Sequence, residues 1–363
     1  MTSNTTSTNS TTEPYFIVFV SDRVYTLIQY IIFYCIWPVV ILAGILSNTL
    51  NIVVFVKIGV KDSMMASFLA LSTTDLAYLL CASLPASATI IGLSGTMSSM
   101  PINAFFLAGV AVQYQALFLD ISLGIIAYVS VAKCCCVVIA LKFKSVFTLK
   151  RTFVVLVLII LAALATRLPV FTSMGLSWVW NSQTNKSQLV GWFTKDFKPS
   201  IDFVNALNKT AYPNVIFVIV LICSIILSSS LVEASAVRMK MTSGGNKINA
   251  FSTKQQSGHD GGFENHEEKF STTLSKRDIH VIRQVVTVAI TLMITVLILS
   301  VISLADVFVP DFYSTGRYRQ LFNIIETIGY TCTHLHAGVH LAIYLRFNSQ
   351  FRTTCRQMFG IET

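Results

Sequence analysis

Charge is what this chain has least of. Only 12% of its 363 residues are Asp, Glu, Lys or Arg, 54% are hydrophobic, and mean hydropathy is +0.68. Soluble domains carry roughly 25% charged residues, so the composition argues against a soluble globule. The cysteines are Cys35, Cys81, Cys134, Cys135, Cys136, Cys223, Cys332 and Cys355. They form no C-x-x-C pair and no zinc spacing, and none falls clearly in an outer loop, so no disulfide framework is expected. There is no Gly-rich phosphate loop, no G-x-S-x-G and no H-E-x-x-H, so no enzyme, cofactor or metal centre is expected. Met1 to Pro14 lacks Lys, Arg and any apolar run; a cleaved signal peptide is not expected there, and the first helix should act as an uncleaved signal-anchor. The net charge of +9 does not imply nucleic acid, because membrane proteins collect Lys and Arg in cytoplasmic loops.

What the chain has in abundance is long apolar runs. Seven of them are each able to cross a hydrocarbon core about 30 Å thick, which takes about 20 helical residues. The expected helices are 25–56, 67–92, 104–139, 153–175, 212–237, 281–309 and 321–344. In lipid each must satisfy its own backbone hydrogen bonds, so the fold class is an all-α membrane protein, a seven-helix bundle. Lys57 and Lys61, then Lys142, Lys144, Lys150 and Arg151, then the basic residues between helices 5 and 6, and Arg346, Arg352 and Arg356 all fall on one side. That side is cytoplasmic by the positive-inside rule. Sequons at Asn4, Asn9, Asn185 and Asn208 all fall in segments already placed outside, where glycans are added. The expected organisation is an outer N-terminus (1–24), a seven-helix domain (25–345) with a polar third inner loop (237–280) expected to be disordered, and an amphipathic tail helix (346–363). The setting is a multi-pass protein of the plasma membrane.

Ionisable residues within a bilayer are costly and are functional candidates. Asp75 sits mid-helix among Ser72, Thr73 and Thr74; it holds a cation or water network, or it is merely satisfied by these neighbours. Asp120 and Arg167 lie about 20 and 24 Å above the cytoplasmic end at 1.5 Å per residue, so a salt bridge between helices 3 and 4 is expected. The alternative is that Arg167 snorkels outward while Asp120 lines a pocket. His336 and His340 share a face of helix 7 with His334 nearby; polar residues lining the bundle account for them, and no third metal ligand is evident. Cys134 to Cys136 read as small apolar packing, whereas Cys355 in the amphipathic tail is a candidate for palmitoylation. Gln113, Tyr114, Gln115, Glu326 and Tyr330 lie at a depth suited to a ligand pocket, although polar residues at that depth also meet loops or water.

These residues resemble the rhodopsin-like (class A) G-protein-coupled receptors. Gly44-Ile45-Leu46-Ser47-Asn48 looks like the G-x-x-x-N stretch of helix 1, with Asn48 as its marker. Asp75 matches the helix 2 aspartate that binds sodium in many members, and Ser122 falls where a serine often completes that site. Ala132-Lys133-Cys134 stands in place of Asp/Glu-Arg-Tyr/Cys, and His340-Leu341-Ala342-Ile343-Tyr344 in place of N-P-x-x-Y. Closer strings resemble the gastropod chemosensory-receptor-like group related to FMRFamide-type peptide receptors: Leu50 to Lys57, Cys136 to Lys144, Ser275 to Asp278 and Tyr318 to Phe322. The resemblance implies a receptor for a small molecule or short peptide. Its inner face, with Lys133, Tyr344, Lys276 and Arg277, would meet a heterotrimeric G protein.

The departures carry their own expectations. Ala132 removes the carboxylate that would restrain Lys133, and Lys lacks the guanidinium fork, which puts coupling in question. Helix 6 has Thr295-Val296-Leu297-Ile298 in place of C-W-x-P, so it should be straighter. Ala108 replaces the cysteine at the top of helix 3, leaving the second outer loop to be held by packing. The resemblance sets position 340 opposite Asp75, so His340 would take the place of sodium, with weak sodium sensitivity and some pH dependence as consequences. Two other readings stay open: a transporter or channel of another fold, and a receptor-like protein that no longer signals.

Overall fold

The computed structural model describes residues 20–93, 104–138, 146–181, 186–249, 276–313 and 316–360. Seven long helices cross the bundle among these residues: α1 (Asp22–Ile58), α2 (Ser63–Leu93), α3 (Ala104–Val138), α4 (Leu149–Thr172), α5 (Phe197–Val204, continuing as Asn205–Ala211 and Tyr212–Asn249), α6 (Lys276–Phe308) and α7 (Arg319–Phe347). A short helix α8 (Ser349–Met358) follows. The chain is therefore a seven-helix bundle, as its apolar runs imply. Six of the helices are long and apolar enough to cross a membrane by composition alone. The exception, α7, carries Glu326, His334, His336 and His340, and the three histidines are buried in the bundle rather than turned to lipid. Exposed Val, Leu and Ile recur at helical spacing on the outer faces, as at Val154, Leu158, Leu161 and Leu168 of α4 and Ile290, Ile294, Leu297 and Val301 of α6. Such faces suit lipid, not water. α3 is the central helix, with 72% of its span buried, against 22% for peripheral α4.

Two helices contain wide π turns, at Ile31–Ile36 in α1 and Asn205–Ala211 in α5. Each is followed at once by an aromatic residue and a proline, Trp37-Pro38 and Tyr212-Pro213. Proline has no N–H to return to the preceding turn, and a widened turn there lets the helix run on through it. This corrects the expected start of helix 5. Tyr212-Pro213 is not its first turn; the helix begins at Phe197, which draws Asn205, Asn208 and Lys209 into the bundle. At its other end α5 reaches Asn249 rather than Val237; Glu233 to Met241 holds helix formers, and the helix then runs on through Gly244-Gly245. Residues 250–275 of the expected third inner loop lie outside the described residues.

The second outer loop is a β-hairpin, β1 (Met174–Asn181) paired antiparallel with β2 (Lys186–Phe193), Met174 facing Phe193 and Asn181 facing Lys186. None of the eight cysteines forms a disulfide, and aromatic packing holds the hairpin. Phe193 packs on Phe106 of α3 at 5.3 Å and on Phe197 of α5 at 4.3 Å between ring centroids. A side chain at Gly191 would collide with the Phe106 ring.

On the opposite side of the bundle, α1 and α7 approach backbone to backbone. A Cβ on Gly338 would lie 3.3 Å from the Gly44 Cα. Ser47 Oγ donates to the Gly338 carbonyl at 2.8 Å, and Asn48 Nδ2 donates to the Ala337 carbonyl at 2.7 Å. At the inner end Asn348 caps α8 by accepting from the Phe351 N–H at 3.0 Å. Phe351 then packs between Phe55 and Tyr344, at 5.1 and 5.5 Å.

Candidate ligand cavity and polar core

All seven membrane helices contribute to one cavity of about 460 Å³, within the range of roughly 300–1,000 Å³ usual for small-molecule sites. Its walls are mostly apolar, with Trp37, Leu119, Leu292, Val296 and Leu299 among them. Gln113, Gln115, Glu326 and Tyr330 line it as expected from their depth. Tyr114 does not. It is exposed and stacks on Phe171 of α4 at 4.9 Å, because at about 100° per residue it is turned away from the face its neighbours share. A second hollow between the outer ends of α1 and α7, lined by Tyr25, Tyr30 and Asn323, shares Phe33, Glu326 and Thr327 with the cavity.

Two ion pairs stand in the cavity wall. Arg167 Nε lies 2.7 Å from Asp120 Oδ2, with side-chain exposures of 7% and 5%. The same carboxylate oxygen accepts from Asn208 Nδ2 at 3.0 Å, and Asn208 also donates to Thr166 Oγ1 at 2.9 Å. Asp120 therefore both pairs with Arg167 and lines the pocket, joining two roles that the sequence set as alternatives. Asn208 is 5% exposed and hydrogen-bonded within the bundle, so its sequon cannot carry a glycan in this fold; the early start of α5 is the reason. Asn4, Asn9 and Asn185 lie outside the described residues. The second pair, Lys209 Nζ to Glu326 Oε1 at 2.9 Å, has no counterpart in the sequence reading. Its signal was a lysine three residues before an aromatic-proline step, inside a run read as a loop.

Below the cavity lies a polar core. Asp75 accepts from Ser122 Oγ at 2.7 Å through Oδ1 and meets His340 Nδ1 at 2.8 Å through Oδ2. An ionised Asp75 requires the His340 proton on Nδ1, since a carboxylate only accepts. Asn48 is hydrogen-bonded elsewhere: its Nδ2 ties α1 to α7 through the Ala337 carbonyl and also donates to the Gly44 carbonyl of its own helix. His336 lies one turn above His340, ring centroids 4.9 Å apart. It is 6% exposed, lines the cavity, and has no hydrogen bond at either ring nitrogen. His334 is turned elsewhere. Gln115 Nε2 donates to Tyr78 Oη at 3.3 Å, and Tyr78 Oη meets His334 Nδ1 at 2.9 Å. Trp37 stacks edge-on against this ring at 4.9 Å and donates to Thr331 Oγ1 at 2.8 Å. Among the described residues no cluster of His, Cys, Asp or Glu could hold a metal ion.

The expected G-protein face is closed in this conformation. Tyr344 is fully buried and Lys133 is 8% exposed. Lys276 and Arg277 open α6, and their side chains lie outside what is described. Cys355 faces inward and is buried in the core beside Phe351. Burial pushes its thiol pKa up. A palmitoyl chain there would require α8 to leave its seat, so the amphipathic position alone misjudged which face the cysteine takes.

Residues 263–362 match the family model for the serpentine type 7TM GPCR chemoreceptor Srw. That stretch contains α6, α7 and α8. The chain is similar there to chemosensory receptors of the seven-helix kind. With the bundle above, this is the pattern of a multi-pass membrane protein. No curated protein matches the chain.

Proposed function

We propose that this plasma-membrane protein is a chemosensory receptor whose small ligand occupies the outer cavity and whose response passes to a heterotrimeric G protein. The observation that carries the reading is the cavity itself. It is walled by every membrane helix, and its floor, His336, sits one turn above the Asp75–His340 contact. A ligand there touches both the outer ion pairs and the seam between α2, α3 and α7. It would act by favouring one of two pre-existing packings. The exposure of Tyr344 and Lys133 that a G protein needs belongs to the other packing. The strings resembling class A receptors, and the gastropod chemosensory group among them, support the finer grouping. A receptor-like protein without coupling remains a second reading, favoured by Ala132 and the buried Lys133.

Full-length protein in lipid nanodiscs, mixed with a panel of purified G proteins and screened with waterborne odorants, amino acids and short amidated peptides, tests the proposal through nucleotide exchange. Ligand-driven exchange is expected, and Ala116→Phe, which fills the cavity from α3, should abolish it while the protein still folds. Absence of exchange with every G protein of the panel, or exchange that survives Ala116→Phe, refutes it.

A further inference from the structure

We infer that the cavity selects an uncharged ligand with an apolar body and one oxygen-bearing head group, a hydroxyl or carbonyl, seated against His336 and Arg167. The inference rests on the cavity being the ligand site.

The walls hold two cations and two carboxylates, and each cation is already matched: Arg167 with Asp120 at 2.7 Å and Lys209 with Glu326 at 2.9 Å. The described charges of the cavity therefore sum to zero. An ammonium or a carboxylate entering this space leaves water without gaining an unpaired counter-charge, and burying such an ion is strongly unfavourable. A zwitterion would have to open both existing pairs to find partners. What the wall leaves unmet is different in kind. His336 is the one buried lining side chain, among the described residues, whose polar atoms are all without a hydrogen bond. A neutral imidazole offers one N–H donor and one N acceptor, and a hydroxyl, which both donates and accepts, can meet whichever of the two faces the cavity. Arg167 bonds Asp120 through Nε alone, so its terminal amino groups can serve an oxygen acceptor without breaking the pair. Most of the remaining wall is apolar, with Gln113 and Tyr330 among the polar exceptions. Glu326 and His336 are ten residues apart on α7, about 15 Å along the helix, so an extended chain of medium length fits between the outer ion pair and the floor.

The test uses one nine-carbon chain with different heads, and leucine as a zwitterion. 1-Nonanol, nonane, nonylammonium, nonanoate and the zwitterion leucine are titrated into full-length protein in nanodiscs, and saturable binding is read by the shift of the unfolding temperature and by the fluorescence of Trp37 in a variant whose other three tryptophans, Trp178, Trp180 and Trp192, are replaced by Phe. Nonanol should bind at least tenfold more tightly than nonylammonium, nonanoate or leucine. It should exceed nonane by about three- to tenfold, the worth of one buried hydrogen bond, and His336→Leu should erase that last margin while nonane binding persists. Binding of an ionic or zwitterionic probe as tight as nonanol overturns the inference. So does absence of saturable binding by every probe, or a nonanol margin that survives His336→Leu. Binding as expected without nucleotide exchange leaves this inference standing and removes the signalling role instead.

Discussion

Truncating either side of the Asp120–Arg167 pair should cost far more than truncating both. The two side chains are 7% and 5% exposed, so neither charge has water to fall back on. Arg167→Leu leaves Asp120 Oδ2 with Asn208 as its sole described donor, and Asp120→Leu leaves the guanidinium with no carboxylate. Breaking a buried pair by removing one partner costs about 3–5 kcal/mol. The double variant removes both charges together. Its main remaining loss is one acceptor for Asn208, which keeps Thr166 at 2.9 Å, for about 1–3 kcal/mol. The coupling energy should therefore be at least about 3 kcal/mol. Equilibrium unfolding in mixed micelles and surface expression in cells both read it. Swapping the residues, as Asp120→Arg with Arg167→Asp, should rescue only in part. Asn208 must rotate its amide to offer an oxygen to the new guanidinium, while the Thr166 hydroxyl is already committed to the Ala163 carbonyl at 3.0 Å. Single truncations whose costs simply add would refute the reasoning.

Three further outcomes follow from the same geometry. His340→Leu should destabilise the protein, and adding Asp75→Asn should recover much of the loss, because the uncompensated carboxylate at 2.8 Å is what the first change exposes; wild-type unfolding should be equal in sodium and choline chloride, and a saturable sodium shift would contradict this. Gly338→Ala should cost about 1–3 kcal/mol, since its Cβ meets the Gly44 backbone at 3.3 Å rather than a pliant side chain; an unfolding temperature equal to wild type would count against the close α1–α7 seam. Cys355 should react slowly with maleimide. A raised pKa means less thiolate at neutral pH, so its rate should climb with pH beyond the point where an ordinary cysteine levels off, and Phe351→Ala, which loosens α8, should speed it at every pH.

The bundle was legible because lipid imposes a single rule, that apolar runs of sufficient length become helices. Depth along a helix was legible too, which is why Gln113, Gln115, Glu326 and Tyr330 were found, and why Asp120 and Arg167 were set level with each other. Direction around the helix was not. Tyr114 sits between two cavity residues and faces away, and Cys355 lies on the buried side of a helix whose polar pattern reads as surface. Such errors need neighbours to correct them, because periodicity locates a face without naming what covers it.

The larger omission, Lys209 with Asn208, has a physical source that recurs in the chain. Proline after an aromatic residue reads as a helix start, since its missing N–H costs nothing there. At Trp37-Pro38 the same step was read correctly as mid-helix because apolar residues continue on both sides. At Tyr212-Pro213 the preceding turns are polar, and the identical step was read as a boundary. Both prolines are preceded by a π turn, and both π turns supply cavity residues, Phe33 from one and Asn205, Asn208 and Lys209 from the other. Polar residues upstream of the second proline are thus not evidence of a loop. They are what a helix carries when the face it presents is the wall of a cavity rather than lipid.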